Sequence, residues 1–401
     1  MANADAPVTA ASRYDSLDLL RGFAVMAIFA VNIRNMLGPM NTRFDPSYFA
    51  GPNDLAIDRV LQYAVDGKWI ATFAVLFGAG LALLHDKAVA AGANPRARIV
   101  RRQSWLIGFG LVHMVFIWPG DILTIYGIVG FLAMLFLGRR SGTVLGWTIG
   151  LLSVFTLLAG MMSALFAFFP EEAGGDLLTQ FATELAKEEE ALRGGVADQL
   201  AWRAEYAAMA IANVFFAGPM VLGYMLTGVL LFRSGFLLAR SRVSTYALVA
   251  VLCLGTAWTI DTVRIDAMGV WDTRTPQTPY VLAFFQWFWV GGIEGLLGAL
   301  GYAALVNLLV RVGASLRPVS AAGRMAFTNY IACSLIGTTL SYGHAGALLG
   351  EVTLAQAMGI VALTWLAMLI WSPLWLAAFR FGPLEWLWRS LTYGRVQPIR
   401  R

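Results

Sequence analysis

An all-α membrane bundle of about ten transmembrane helices is the fold class this sequence predicts, and three observations predict it. Of 401 residues, 58% are hydrophobic and only 13% are charged, with mean hydropathy +0.67. A soluble chain carries roughly twice that charge fraction. Apolar runs long enough to cross a bilayer, about 20 residues per helix, recur near 17–37, 68–86, 103–119, 121–138, 143–169, 208–232, 243–262, 281–310, 322–342 and 354–379. Arginines then cluster at every second connection. Arg96, Arg98, Arg101 and Arg102 lie between the second and third runs, Arg139 and Arg140 after the fourth, and Arg233, Arg240 and Arg242 after the sixth. Arg311, Arg317 and Arg324 lie between the eighth and ninth, and Arg380, Arg389 and Arg395 after the tenth. By the positive-inside rule these segments and both termini are expected on the cytoplasmic side. The whole chain, 1–401, reads as one transmembrane domain, with tails at 1–16 and 380–401 and a charged extracytoplasmic loop at 170–207.

In chain order, the tail before Arg13 is polar, with no evident cleavable leader, so the first run reads as a retained span. That run contains Asp18, Arg21, Asn32, Arg34 and Asn35. Asp18, Arg21, Asn32 and Asn35 return to one helical stripe. Polar groups in a span are costly and usually face a protein interior or a wet cavity, so this stripe is expected to line one. Asp18 and Arg21 equally suit a pair at headgroup level that marks the helix end. The loop 38–67 carries Asp45, Asp54, Asp58 and Asp66. The second run contains Phe77-Gly78-Ala79-Gly80, a small-residue patch suited to close helix packing, and ends at His85, a headgroup-level side chain.

The third and fourth runs are separated only by Trp118-Pro119-Gly120-Asp121, a tight hairpin. His113 lies toward the outer end of the third run, and Tyr126 lies in the fourth. The hairpin folds Asp121 back over His113. A carboxylate there would orient the imidazole and raise its basicity, as a general base requires. The other reading is a histidine bonded to a backbone carbonyl or a neighbouring helix. Glu171, Glu172, Asp176, Glu184, Glu188, Glu189 and Glu190 make 170–207 a charged, partly helical segment outside the membrane. A third loop, 263–280, holds Asp266, Asp272, Pro276 and Pro279. Glu294 falls mid-span, where a carboxylate is expensive unless paired or protonated. Arg324 opens the ninth run, which contains Asn329 and Tyr330, and His344 sits in an outer turn. Tyr126, Glu294, Asn329 and Tyr330 join the first-span stripe as candidate cavity walls. Arg21, Arg101, Arg102 and Arg324 are candidates for holding phosphates, or else serve topology and anionic-lipid contact.

Cys253 and Cys333 lie in apolar runs, and three histidines without ligand spacing suggest no metal site. There is no phosphate-binding loop, nucleophile elbow or dinucleotide fingerprint. No permanently bound cofactor is expected. The net charge of +5 resides in loops and speaks to orientation rather than to nucleic acid.

Four segments carry a resemblance. Arg13 to Ile33 reads RYDSLDLLRGFAVMAIFAVNI, Gly323 to Thr338 reads GRMAFTNYIACSLIGT, and Phe381 to Gly394 reads FGPLEWLWRSLTYG. Arg101 to Tyr126 adds Gly110-Leu-Val-His113 and Gly120-Asp121-Ile-Leu. Together, and in this order, they resemble the bacterial YeiB family of inner-membrane proteins. That family is distantly similar to membrane acyltransferases, including bacterial sugar O-acyltransferases and the lysosomal heparan glucosaminide N-acetyltransferase. The shared opening Leu-Asp-x-x-Arg-Gly is here Leu17, Asp18, Arg21 and Gly22. The resemblance implies a bundle that takes an acyl group from cytoplasmic acyl-CoA and passes it to a glycan or lipid acceptor at the outer face of a bacterial inner membrane. Those acyltransferases place a catalytic histidine near the segment between the first two spans. Residues 38–67 contain none, so that role falls to His113 or is absent.

The sequence thus leads to an acyltransferase with His113 as base and Asp121 orienting it. Asn32, Asn329 or Tyr330 would donate to the oxyanion. A transporter or exporter of a small or lipid-like solute, or a non-catalytic membrane interaction protein, stands as the alternative, with the oligomeric state open.

Overall fold

A computed structural model of the chain describes residues 15–40, 48–49, 51–168, 171–268 and 280–401. The polar tail with Arg13, Asp45, and Asp272, Pro276 and Pro279 lie outside the described residues, as do the side chains of Glu171, Glu172 and Asp176. Among the described residues the fold is all-α, with an isolated antiparallel bridge between Phe379 and Arg400. The helices are α1 Asp15–Leu37, α2 Asp54–Ala64, α3 Lys68–Ala90, α4 Pro95–Phe116, α5 Leu123–Met134, α6 Ser141–Ala167, α7 Glu171–Arg193 and α8 Val196–Ala212. They continue as α9 Val214–Arg233, α10 Val243–Met268, α11 Tyr280–Arg311, α12 Arg317–Arg324, α13 Ala326–Ser341, α14 Leu354–Ala378 and α15 Pro383–Tyr393.

Among the described residues every expected span is built mainly of helix, and the protein is a multi-pass membrane bundle. The expected count of ten is not reached by length and composition alone. Among the described residues, seven helical stretches are long and apolar enough to cross: α1, the α2–α3 pair, α6, α9, α10, α11 and α14. The remaining three differ for local reasons. Four arginines crowd the first turns of α4, α5 has only 12 residues, and the ninth run breaks at Met325 into α12 and α13.

Burial sorts the helices into an inner and an outer set. The apolar window of α1 is 72% buried, against 22% in α6 and α10 and 28% in α14. So α1 is the central helix, and the outer three spend most of their surface on lipid. Leu157, Val251 and Leu363 stand out from that outer set, as lipid-facing residues do. Paired glycines let the inner helices cross at backbone contact. A Cβ on Gly22 would meet Val319 O at 2.1 Å, and one on Gly323 would meet Asp18 O at 1.8 Å, so α1 and α12 touch reciprocally. Gly78 and Gly228 do the same for α3 and α9.

Helix ends are tied by charge. Asn94 caps α4 by accepting from Arg96 N at 3.0 Å, with Pro95 in the first turn. The buried Asp54 carboxylate accepts Leu354 N and Ala355 N at 2.9 and 3.2 Å, placing negative charge at the N-terminus of α14. Arg34 reaches Asp58 and Asp66, both at 2.5 Å, and pins α2 beneath α1. The segment 170–207 folds as α7 and α8. The segment 380–401 is no free tail: α15 packs on α4, and Arg380 N and Arg401 N bond Ile399 O and Ala378 O.

Candidate functional site

The α1–α12 crossing brings Asp18, Arg21 and Arg324 to one end of a cavity of about 660 Å³, walled by α1, α3, α4, α5, α13 and α15. Asp18 and Arg21 pair at 2.9 Å within it. Lys87, Arg98, Arg102, Arg380 and Arg389 complete a cationic rim, against which stand two carboxylates, Asp18 and Glu385. Glu385 is already engaged. It accepts Phe327 N at 2.7 Å, Thr328 N at 3.1 Å and Thr328 Oγ1 at 2.6 Å, capping α13. Burial nonetheless raises its pKa. The Arg102 guanidinium lies 3.6 Å from the Trp388 ring centroid, and Trp388 Nε1 donates to Arg102 O at 3.0 Å. This stacked pair fastens α15 to α4. The rim therefore holds an excess of positive charge suited to a phosphate-bearing ligand.

Away from the rim the walls are apolar, ending at Ile122, Tyr126 and Tyr330. Behind that end lies the α4–α5 hairpin. His113 Nδ1 is 2.9 Å from Asp121 Oδ1, and both side chains are buried. Asp121 Oδ2 accepts Thr124 N at 2.7 Å. Gly110 makes this closeness attainable, since a Cβ there would meet Thr124 Oγ1 at 2.4 Å and Asp121 Oδ2 at 2.7 Å. The Tyr330 ring is 5.1 Å from the imidazole, between it and the cavity. With Asp121 accepting from Nδ1–H, the basic nitrogen is Nε2, which is buried and has no hydrogen-bond partner among the described residues. An opening toward the other face is not what surrounds the pair. Trp118 is 1% exposed, its Nε1 contacts Asn35 O at 3.4 Å, and Arg203 of α8 donates to Ile117 O at 2.8 Å. Through the Tyr330 ring, the pair adjoins the cavity with the arginine rim.

The first-span stripe divides. Asp18 and Arg21 line the cavity, whereas Asn32 and Asn35 are not among its walls, because α1 runs from the rim into the packed interior. Tyr126 lines it, with its hydroxyl on Ile70 O at 2.8 Å. Asn329 is also buried outside the walls. It donates to Ala322 O and Ser372 Oγ and accepts from Trp371 Nε1, so it is a cross-helix brace. Arg101 is exposed beside Gly394 and does not join Arg102. His85 pairs with Asp86, and His344 bonds Gln199.

Glu294 belongs to a separate buried cluster. It pairs with Lys68, whose Nζ also bonds Asp261 at 2.8 Å, while Arg264 reaches Asp261 at 3.1 Å. Gly298 leaves the room that the Lys68 stem occupies. Lys68 and Asp261 stand at the ends of the expected runs 68–86 and 243–262, and nothing local in the sequence marks them as partners. Arg98 and Arg389 belong to the expected cytoplasmic arginine clusters, whereas Lys87 and Glu385 carry no such sign, although the spacing from Phe73 through Gly80 to Lys87 places that lysine on the cavity face of α3.

Comparison with known proteins adds family evidence. The profile of a family described as "Protein of unknown function (DUF418)" matches residues 231–395. The chain is 29% identical to the uncharacterized protein YxaH of Bacillus subtilis (strain 168), over 98% of this chain and 97% of that one. It is 28% identical to the uncharacterized protein YeiB of Escherichia coli (strain K12), over 96% and 97%. The profile covers α13 and α15; the two relatives extend the likeness over nearly the whole chain.

Proposed function

We propose that this chain, which belongs to the YeiB-like family of proteins of unknown function (DUF418), is an integral-membrane acyltransferase. It takes an acyl group from an acyl-CoA-type donor and passes it to a glycan or lipid acceptor. The observation that carries this reading is one cavity with a cationic rim at one end and a buried carboxylate–imidazole pair behind the other. The arginine face is cytoplasmic in this reading, in a bacterial inner membrane, because positive residues favour that side.

The donor's phosphates engage Arg98, Arg102 and Arg389, and its thioester points toward Tyr330. His113 Nε2 takes the proton from the acceptor hydroxyl or amine, contributing about two to four orders of magnitude in rate. The acceptor oxygen or nitrogen bonds the carbonyl carbon. The Tyr330 hydroxyl, held by a 3.5 Å contact to Gly120 O, turns to stabilise the oxyanion. The carbon–sulfur bond then breaks, and the proton on His113 passes to the departing thiolate. Asp121 holds the imidazole orientation throughout.

Purified protein in nanodiscs, given radiolabelled acyl-CoA and a bacterial glycan and lipid extract, should yield a labelled acceptor, and His113→Ala should not. Full activity in His113→Ala would remove the base, and no transfer by the wild type to any fraction would remove the reading. Carriage of an anionic amphiphile is the second reading. It is favoured by the four ionisable groups buried between α3, α10 and α11, since such groups often mark ion-coupled pathways. Acceptor-independent movement of substrate into liposomes would select it.

A further inference from the structure

The cavity is longer and more apolar than a short acyl group needs. Along α3 its wall is one stripe, Phe73, Leu76, Phe77, Gly80 and Leu84, leading to Lys87 at the rim. Steps of three and four keep these residues on one face. Phe73 to Lys87 spans about 21 Å at 1.5 Å per residue. Two neighbouring glycines of α3, Gly80 in the stripe and Gly78 outside it, do different things. A Cβ on Gly78 would strike Met225 O at 1.9 Å, so helix packing demands that glycine. A Cβ on Gly80 would meet nothing within 4 Å. Glycine is unfavourable inside a helix, and here no neighbouring helix requires it. What Gly80 leaves is open room in the apolar part of the cavity.

We propose that the cavity binds an amphiphile with a phosphate-bearing head and one long alkyl chain, the chain lying along the α3 stripe and Gly80 determining how much chain fits. The head sits where Lys87, Arg98, Arg102 and Arg389 converge, and the chain displaces water from the apolar wall. Two sources share this chemistry: a long-chain coenzyme A thioester arriving from solution, and a single-chain lipid phosphate arriving from the bilayer. The proposal deepens the acyl-transfer reading by making the donor long-chain. It rests on that reading only for the reaction, because binding is measured without turnover.

The experiment is equilibrium binding to the full-length protein in nanodiscs, with palmitoyl-CoA, acetyl-CoA, free coenzyme A and palmitoyl lysophosphatidate as probes. Each buried methylene tightens binding by roughly three- to fourfold. A palmitoyl probe should therefore bind more than about a hundredfold tighter than acetyl-CoA. Gly80→Leu should lower the palmitoyl-to-acetyl preference by about tenfold or more. Gly80→Ala, which favours the helix and adds one methyl, should lower it by a smaller factor and covers the case in which the leucine variant does not fold. Tight palmitoyl-CoA binding assigns the soluble source, and tight lysophosphatidate binding assigns the lipid source. Equal affinity for acetyl-CoA and palmitoyl-CoA, with no lysophosphatidate binding, overturns the proposal, as does an unchanged preference in both folded Gly80 variants. Chain-dependent binding without transfer would sink the acyltransferase and leave this site standing. Acetyl transfer without chain dependence would do the reverse.

Discussion

Replacing Lys68 with methionine keeps the stem that fills the space over Gly298 and deletes the ammonium. That ammonium is fully buried and places its donors on Gln62 O at 3.2 Å, Asp261 Oδ2 at 2.8 Å and Glu294. Asp261 would keep Arg264 at 3.1 Å, whereas Glu294 would lose its ion-pair partner. Removing one member of a buried pair costs about 3–5 kcal/mol, because the other charge stays desolvated. The conserved stem volume adds little cavity cost, so the electrostatic loss dominates. For a chain of this size that loss lowers the apparent melting temperature by on the order of 5 °C. Tryptophan fluorescence melting in one detergent would measure it. Lys68→Met/Glu294→Gln removes both charges and should recover most of the deficit. Wild-type melting in Lys68→Met, or a double variant no better than the single, would refute a stabilising role for this cluster.

Gly323→Ala would drive a methyl into Asp18 O, and because the neighbour is backbone the cost should reach or exceed about 1–3 kcal/mol; loss of monodisperse protein or a clear fall in melting temperature is the expected readout. His113→Ala should abolish transfer while leaving Asp121 its bond to Thr124 N, so melting should fall by no more than about 1–3 kcal/mol would cause; a protein that fails to fold would mark the histidine as structural. The Glu188 carboxyl accepts Met40 N at 2.7 Å, and burial, with Glu189 beside it, pushes its pKa up to about 8. The folded state therefore holds a proton that the unfolded chain releases near the ordinary carboxylate value. Its contribution is fully present below that value and is lost as pH rises through about 8. Hydrogen exchange in α7 should rise between pH 6 and pH 9 beyond the intrinsic chemical rate, and Glu188→Gln should flatten that excess.

His113 and Asp121 were legible in sequence because eight residues and one tight turn separate them, and a hairpin leaves few other arrangements. The helices were legible because a span is written as apolar length. The span count was less so, since the break at Met325 carries no proline and falls at the head of an otherwise continuous run. Asn32 and Asn35 share a stripe with Asp18, but a stripe reports angle around the helix and not depth along it. Glu294 was marked as needing a partner, yet that partner, Lys68, lies at the far end of another helix and carries no local sign of the pairing. The cationic rim was only partly legible. Arg102 and Arg324 were marked for positive charge near the membrane edge, but so was Arg101, which points elsewhere. Adjacent residues on α4 diverge by a helical step, and only the packing of α15 selects between them.

The C-terminal segment also sets an order of events. Asp18 and Arg21 enter the membrane with the first helix, whereas Trp388 and Arg389 belong to α15, which is held by the return of Ile399 and Arg401 onto Ala378 and Arg380. During synthesis the earliest wall of the cavity thus waits, unpaired with its floor, until nearly every span has been inserted. A polypeptide ending at Ala378 would retain the membrane helices and present an open cleft in place of a pocket. Bulk attached close behind Arg401 would bear directly on that closure, so a reporter placed there reads the integrity of the site as well as its sidedness.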